Sequence, residues 1–236
     1  MAVDAIRATL QPLMAELLRI ALQAGRQAGL RADRRSVRED ASAGSIRAAQ
    51  RAAVARFNRQ AGTRLRVQMS QVASAVDQHS AQQTARSLAS LGAPLGARSP
   101  AMNQELTRFV GESVSRIKGL TPELARQIEQ RVVTAVQRGY TQNQLRINIM
   151  RRIDVTWSRA EMIARDQVQK AYARMNQARQ EAAGIKTYRW GPTDSEVPRE
   201  LHEEYRGQVF EWSDPPFDGH PGEAINCGCV AIPVVQ

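Results

Sequence analysis

WGPTDSEVPRELHEEYRGQVFEWSDPPFDGHPGEAINCGC, residues 190–229, is the stretch whose reading decides the fold. It holds Trp190, Tyr205 and Trp212, two of the three histidines, both cysteines, five of the ten prolines and five of the fifteen glycines. Proline and glycine at that density close turns rather than helices. The aromatics give a small module apolar area to pack. Almost everything before this stretch has helical periodicity. The expectation is a mainly α-helical protein: long N-terminal helices, a helical middle domain and a small α+β C-terminal module with a short β-sheet.

Around the stretch, KTYRW (186–190) and QVFEW (208–212) alternate as short strands, and residues 230–234 offer a third. Tyr188, Trp190, Phe210 and Trp212 are the expected core of that sheet, and a base-stacking platform is the alternative. The sheet would lie on a helix over residues 158–183, opened by a Ser158/Glu161 capping box and stopped by Gly184. Ala160, Ile163, Ala164, Val168, Ala171 and Met175 would face inward, and Arg159, Arg165, Asp166, Gln169, Arg174 and Arg179 outward.

Further toward the N-terminus, Leu106, Phe109, Val110, Val114 and Ile117 form a stripe closed by Gly119. Thr121 then reads as a cap, with Pro122 at the first position of a helix that carries Leu124, Ile128, Val132 and Val136 to a Gly139 stop. Thr141 and Gln144 have capping-box spacing before a short helix. Residues 91–100 (LGAPLGARSP) combine two glycines and two prolines and mark a boundary. Before it, a helix over residues 4–28 carries Leu10, Leu13, Met14, Leu17, Leu18 and Ala21. A polar connector follows over 29–44. A long helix over 45–90 carries Ile46, Val54, Phe57, Leu65, Val67, Met69, Val72 and Val76, with Gly62 as a point of interruption. The domains expected are 1–92, an extended basic helical region; 93–100, a linker; 101–184, a helical domain; and 185–236, a small β-rich module.

The net charge is +10, unevenly spread: residues 186–236 carry −5 and residues 1–185 carry +15. A basic helical body fits work beside nucleic acid or an acidic protein surface; solvated Arg-rich helix faces are the plain alternative. No apolar run of about 20 residues crosses a bilayer, and residues 1–30 lack a signal-peptide layout. Two cysteines make no secreted disulfide framework, so folding in a reducing cytoplasm is expected.

SRAEMIARDQVQKAYARMNQARQEAAGIKTYRWGPTDSEVPRELH (158–202) and GQVFEWSDPPFDGHPGEAINCGC (207–229) together resemble the head morphogenesis proteins of tailed bacteriophages related to the phage Mu F protein. The shared elements, in order, are an Arg-Ala-Glu helix with Ile-Ala-Arg-Asp, a Tyr-Arg-Trp strand, Asp194 and His202, a Gly-Gln-Val strand, an Asp-Pro-Pro turn, a Gly-His-Pro-Gly turn and a terminal pair of cysteines. The resemblance covers roughly residues 109–234. Two departures are Gly228, where the family usually has arginine between the cysteines, and one extra residue between Asp194 and His202. The resemblance implies a minor head protein of the procapsid, associated with the portal and assisting head morphogenesis and DNA packaging or ejection. Its partners would be the portal protein, the major capsid or scaffolding protein, and packaged DNA through non-specific electrostatics, with no membrane. Its place would be the virion, inside the head near the portal. The first hundred residues carry no assignable motif.

The residues themselves raise a metal site of His202, His220, Cys227 and Cys229, because zinc takes four nitrogen or sulfur ligands and a small module benefits from such a staple. Two thiols packed under the sheet, with both histidines bonded to turn backbone, is one alternative, and a Cys227–Cys229 disulfide another. Four protein ligands would leave no position for an activated water, so no enzymatic activity is expected. A metal-dependent hydrolase or nuclease would need an open site with Glu203 or Asp194 as base. His-Glu-Glu-Tyr-Arg is not a His-Glu-x-x-His motif, and P-loop, Rossmann and nucleophile-elbow patterns are absent. A DNA-binding accessory protein is the remaining alternative.

Overall fold

The computed structural model describes residues 2–27, 43–92, 94–96, 98–138, 140–193 and 199–235. The connector expected over 29–44 lies outside them as far as residue 42, as do Gly139, Asp194 and the side chain of Ile46. The elements are α1 (Ala2–Gln27), α2 (Ala43–Ala89), α3 (Pro100–Gln137), α4 (Gln142–Ala182), β1 (Thr187–Trp190), α5 (Glu200–Tyr205), β2 (Val209–Glu211) and β3 (Ala231–Val234). The fold is thus mainly α-helical with a small three-stranded sheet near its C-terminal end. None of the described helices is long and apolar enough to cross a membrane.

The chain divides into two compact units, the first made of Val3–Gln68 and Val114–Ile163. In it the expected stripe of α1 is buried at Leu10, Leu13, Met14, Leu17 and Ala21, and α2 contributes Ala53, Phe57, Ala61 and Leu65. Ile117, Leu124, Ile128 and Val132 of α3 and Leu145, Ile149 and Ala160 of α4 complete this core. Polar ties at its margin join Arg7 to Glu161 at 2.8 Å and Arg56 to Glu16. Val67, expected on the apolar side of α2, is 55% exposed.

Three helix boundaries differ from expectation. Helix α2 runs through Gly62. Helix α3 runs through Gly119 and Pro122 as one element. A proline lacks the N–H that would bond the carbonyl four residues back; here the Thr121 hydroxyl donates to that carbonyl, Lys118 O, at 3.0 Å. Thr121 therefore repairs a helix instead of starting one. Likewise α4 passes through Ser158, whose hydroxyl donates to Asp154 O at 3.2 Å within the helix. The true opening of α4 is the other expected capping box: Gln144 N–H donates to Thr141 Oγ1 at 3.2 Å, and Thr141 N–H to Gln144 Oε1 at 2.8 Å.

The second unit comprises Met69–Ser113 and Ala164–Gln236. Here α4 ends in a Schellman motif. Ile185 N–H donates to Gln180 O and Gly184 N–H to Glu181 O, each at 2.9 Å, with Gly184 at φ +78°. The sheet has the order β2-β1-β3, both pairings antiparallel, with Tyr188 opposite Phe210 and Pro233. Pro233 is tolerated because β3 is an edge strand. The sheet is fastened to α4 by Asn176 Nδ2 and Gln180 Nε2, both donating to Ala231 O at 2.9 Å.

Asp166 and Arg179, expected to point outward, are buried. The Arg179 guanidinium is neutralised by Asp77 and donates to Ser80 Oγ at 2.9 Å. Buried charges persist only with such partners. Ile163 and Val168, expected inward, are half-buried.

Candidate metal centre

Strand β1 alternates Tyr188 and Trp190 onto one face and Arg189 onto the other, as the period of a strand requires. Tyr188 and Trp190 are almost fully buried, packed with Trp212, Cys227, Cys229 and Ala231, and with Tyr205 and Phe210 at the margin. Burying each such ring stabilises the module by about 1.5–3 kcal/mol. This cluster forms the floor on which the polar residues are arranged. Its burial leaves Trp190 no face to offer a nucleic-acid base.

Helix α5 presents one buried residue, His202. Its ring meets Trp190 edge-on at 5.1 Å between centroids and lies stacked at 6.3 Å from Tyr205. Aromatic walls on two sides hold the imidazole plane. One ring nitrogen, Nδ1, lies 3.5 Å from Cys227 Sγ and 3.5 Å from Cys229 Sγ. The other, Nε2, lies 2.7 Å from Asp218 Oδ2.

The cysteine loop is shaped by its backbone. Asn226 sits at φ +54°, and its N–H donates to Asp166 Oδ1 on α4 at 2.9 Å. Cys227 N–H closes a turn to Ala224 O at 3.1 Å, and Arg199 Nη2 donates to Ile225 O at 2.9 Å. Gly222 donates its N–H to Cys227 Sγ at 3.3 Å. Its φ is +88°, and a Cβ there would stand 2.4 Å from Ala173 Cβ on α4. Only glycine brings this amide so close to both the sulfur and the helix.

Both cysteines are buried free thiols. The Cys229 thiol donates to Cys227 and, together with the Gly222 amide, holds Cys227 well below the ordinary thiol range. The same bond, with burial, pushes Cys229 up. The two thiols therefore titrate as a pair, whose first proton leaves below the ordinary thiol range.

His202, Cys227 and Cys229 are all buried, and their donor atoms lie within 4.8 Å of one another, close enough to hold a metal ion. His220 stands outside this group. Its Nδ1 lies 2.9 Å from Tyr188 Oη, its ring packs on Trp212 at 4.9 Å, and it also bonds the Trp212 backbone. Burial lowers the His220 pKa. Asp218 and Asp166 were not singled out by sequence. Nothing in their spacing separates them from exposed turn and helix acids, although Asp218 does lie beside a Gly-His turn.

The model of the family described as "Phage Mu protein F like protein" matches residues 126–232. A Haemophilus influenzae protein (strain ATCC 51907 / DSM 11121 / KW20 / Rd), described as uncharacterized, is 37% identical over 139 residues, which is 58% of this chain and 31% of that relative. The chain thus spans about a third of that relative's length. No solved structure matches. Residues 126–232, which contain every residue of the site just described, are thus similar to the Mu F-like family.

Proposed function

We propose that this chain is a minor head protein of a tailed phage, a structural component of the procapsid that associates with the portal and assists head morphogenesis and DNA packaging or ejection. The observation that carries the reading is the Mu F-like match over residues 126–232. A +15 charge on residues 1–185 suits a protein that works beside densely packed phosphates. Portal subunits are the primary partners, capsid or scaffolding protein and packaged DNA the secondary ones.

The C-terminal module is stapled by zinc on His202, Cys227 and Cys229. A tetrahedral ion with bonds of about 2.3 Å to sulfur and about 2.0–2.1 Å to nitrogen sets nitrogen and sulfur about 3.5 Å apart. Both sulfurs stand at that distance from Nδ1. With the Cys229 hydrogen directed at Cys227, its equal approach to Nδ1 is not a thiol hydrogen bond to the imidazole; a metal shared by the three atoms accounts for both contacts. Three protein donors leave the fourth tetrahedral position to a non-protein ligand; the structural role is read from the burial of the donors against an aromatic cluster. A hydrolase would need them open to substrate.

Quantitative mass spectrometry of purified DNA-filled heads and empty proheads tests the main reading. A low, reproducible copy number in both is the expected result. Absence from both returns the free DNA-binding and metal-hydrolase readings to the front.

A further inference from the structure

We propose that Asp218 is the positioning residue of the metal centre, the group that makes His202 a ligand through Nδ1. The inference rests on the zinc reading above and adds a role for a carboxylate that is not one of the three donors. Asp218 Oδ2 lies 2.7 Å from His202 Nε2. A carboxylate at that distance accepts, so the hydrogen on this edge belongs to Nε2. The lone pair is then left on Nδ1, the atom equidistant from Cys227 and Cys229. Without this partner the two tautomers compete, and the one with hydrogen on Nδ1 turns a donor where the metal needs an electron pair.

The segment carrying Asp218 is built to hold it. Gly219 N–H closes a turn to Pro216 O at 2.9 Å, and the backbone N–H of His220 donates to Glu223 Oε2 at 2.8 Å. The carboxylate is 34% exposed while the imidazole it meets is 4% exposed. A half-solvated charge therefore orients a buried ring at little desolvation cost. Removing the partner of a metal-bound histidine typically weakens metal affinity about 10–100-fold.

The test uses the full-length chain, zinc titrated in competition with a chromophoric chelator, and the variants Asp218→Ala and Asp218→Asn. Wild type takes one zinc per chain. Asp218→Ala keeps that stoichiometry with affinity about 10–100-fold lower, and Asp218→Asn, whose amide oxygen still accepts, falls between. Long-range proton–nitrogen spectra of the metal-free proteins read the tautomer directly, with three histidines in the chain. His202 carries its hydrogen on Nε2 in wild type and becomes mixed in Asp218→Ala, a change that general loosening of the loop does not produce. Zinc affinity unchanged in Asp218→Ala, or hydrogen on Nδ1 in the wild-type protein, overturns the role of Asp218 and leaves the zinc reading standing. A wild-type chain that binds no zinc overturns both.

Discussion

Asp166 on α4 accepts the backbone N–H of Asn226 at 2.9 Å, so a helical carboxylate fixes the residue that precedes Cys227. The same side chain holds Lys170 at 2.9 Å and Gln167 at 3.2 Å. A buried acid with three donors around it is a rigid bracket between the helix and the cysteine loop. Its position explains how a module with so short a sheet keeps two thiols in register with a histidine on another element.

Replacing Asp166 by alanine strands the Asn226 amide and is expected to cost about 1–3 kcal/mol. Burial pushes the Asp166 carboxyl up, but the hydrogen bonds from Asn226 and Lys170 outweigh it, and the net shift is downward. A folded-state pKa below the unfolded one gives stability that is complete above the unfolded value, about 3.9, and is lost as pH falls through the folded value. Urea midpoints of wild type and Asp166→Ala should therefore differ by a constant margin from pH 7 to pH 5. That margin should narrow below about pH 4. A margin that widens on acidification would contradict the bracket.

Gly222→Ala should disturb stability and metal binding together. The added methyl meets Ala173 Cβ at 2.4 Å in a backbone of φ +88°, a conformation that costs a non-glycine residue about 1–3 kcal/mol. Because the Gly222 amide donates to Cys227 Sγ, relief of the clash draws that donor away from the thiol. Thermal melts with and without zinc separate the two effects. The expected loss of melting temperature is larger in the zinc-loaded protein, and equal losses would remove the Gly222 amide from the account of the metal centre.

How much of this was legible in sequence depends on what each residue type advertises. The strands, the aromatic cluster and the Gly184 stop announce themselves through alternation, ring chemistry and backbone freedom. The Thr141/Gln144 box is likewise a local pattern with a local cause. Helix α2 is harder to read, because much of its buried side is Ala53, Ala61, Ala73, Ser80 and Thr84, residues that pack closely without registering as apolar anchors. Capping signals at Thr121 and Ser158 were ambiguous for a specific reason: a hydroxyl that caps an N-terminus serves equally well to satisfy a carbonyl one turn back. Cys227, Cys229 and His202 were readable as donors by type. His220 was readable in the same way, yet its engagement with Tyr188 and the Trp212 backbone depends on tertiary neighbours. Asp166 and Arg179 carried no sign of burial, since Asn226, which donates to the first, and Ser80, which accepts from the second, lie 60 and about 100 positions away in the chain.

The continuity of α3 gives a separate prediction in the first unit. Thr121 is buried, and its hydroxyl is the donor that replaces the missing proline N–H at Lys118 O. Thr121→Val keeps the shape and removes the donor, at an expected cost of about 1 kcal/mol. Pro122→Ala restores the backbone donor, so Thr121→Val in that background should cost less. A double-mutant cycle in chemical denaturation measures the coupling, and strict additivity would disconnect the two residues.

Removal of the metal is the broadest test of the C-terminal module. Three donors from two separate segments, α5 and the 226–229 loop, are closed by one ion, so binding free energy is also folding free energy for this part of the chain. Stabilisation by a bound ion grows with its concentration above the dissociation constant, reaching about 4 kcal/mol at a thousandfold excess. Treatment with a strong chelator should lower the unfolding temperature of the module, read by the fluorescence of Trp190 and Trp212, while the helices of the first unit keep their far-ultraviolet signal. Zinc in modest excess should restore it; magnesium should not, because two thiols and an imidazole suit a soft ion rather than a hard one. Cys227→Ser and Cys229→Ser should each abolish the rescue. Full thermal stability in the chelated protein would mean that the aromatic cluster alone holds the module together.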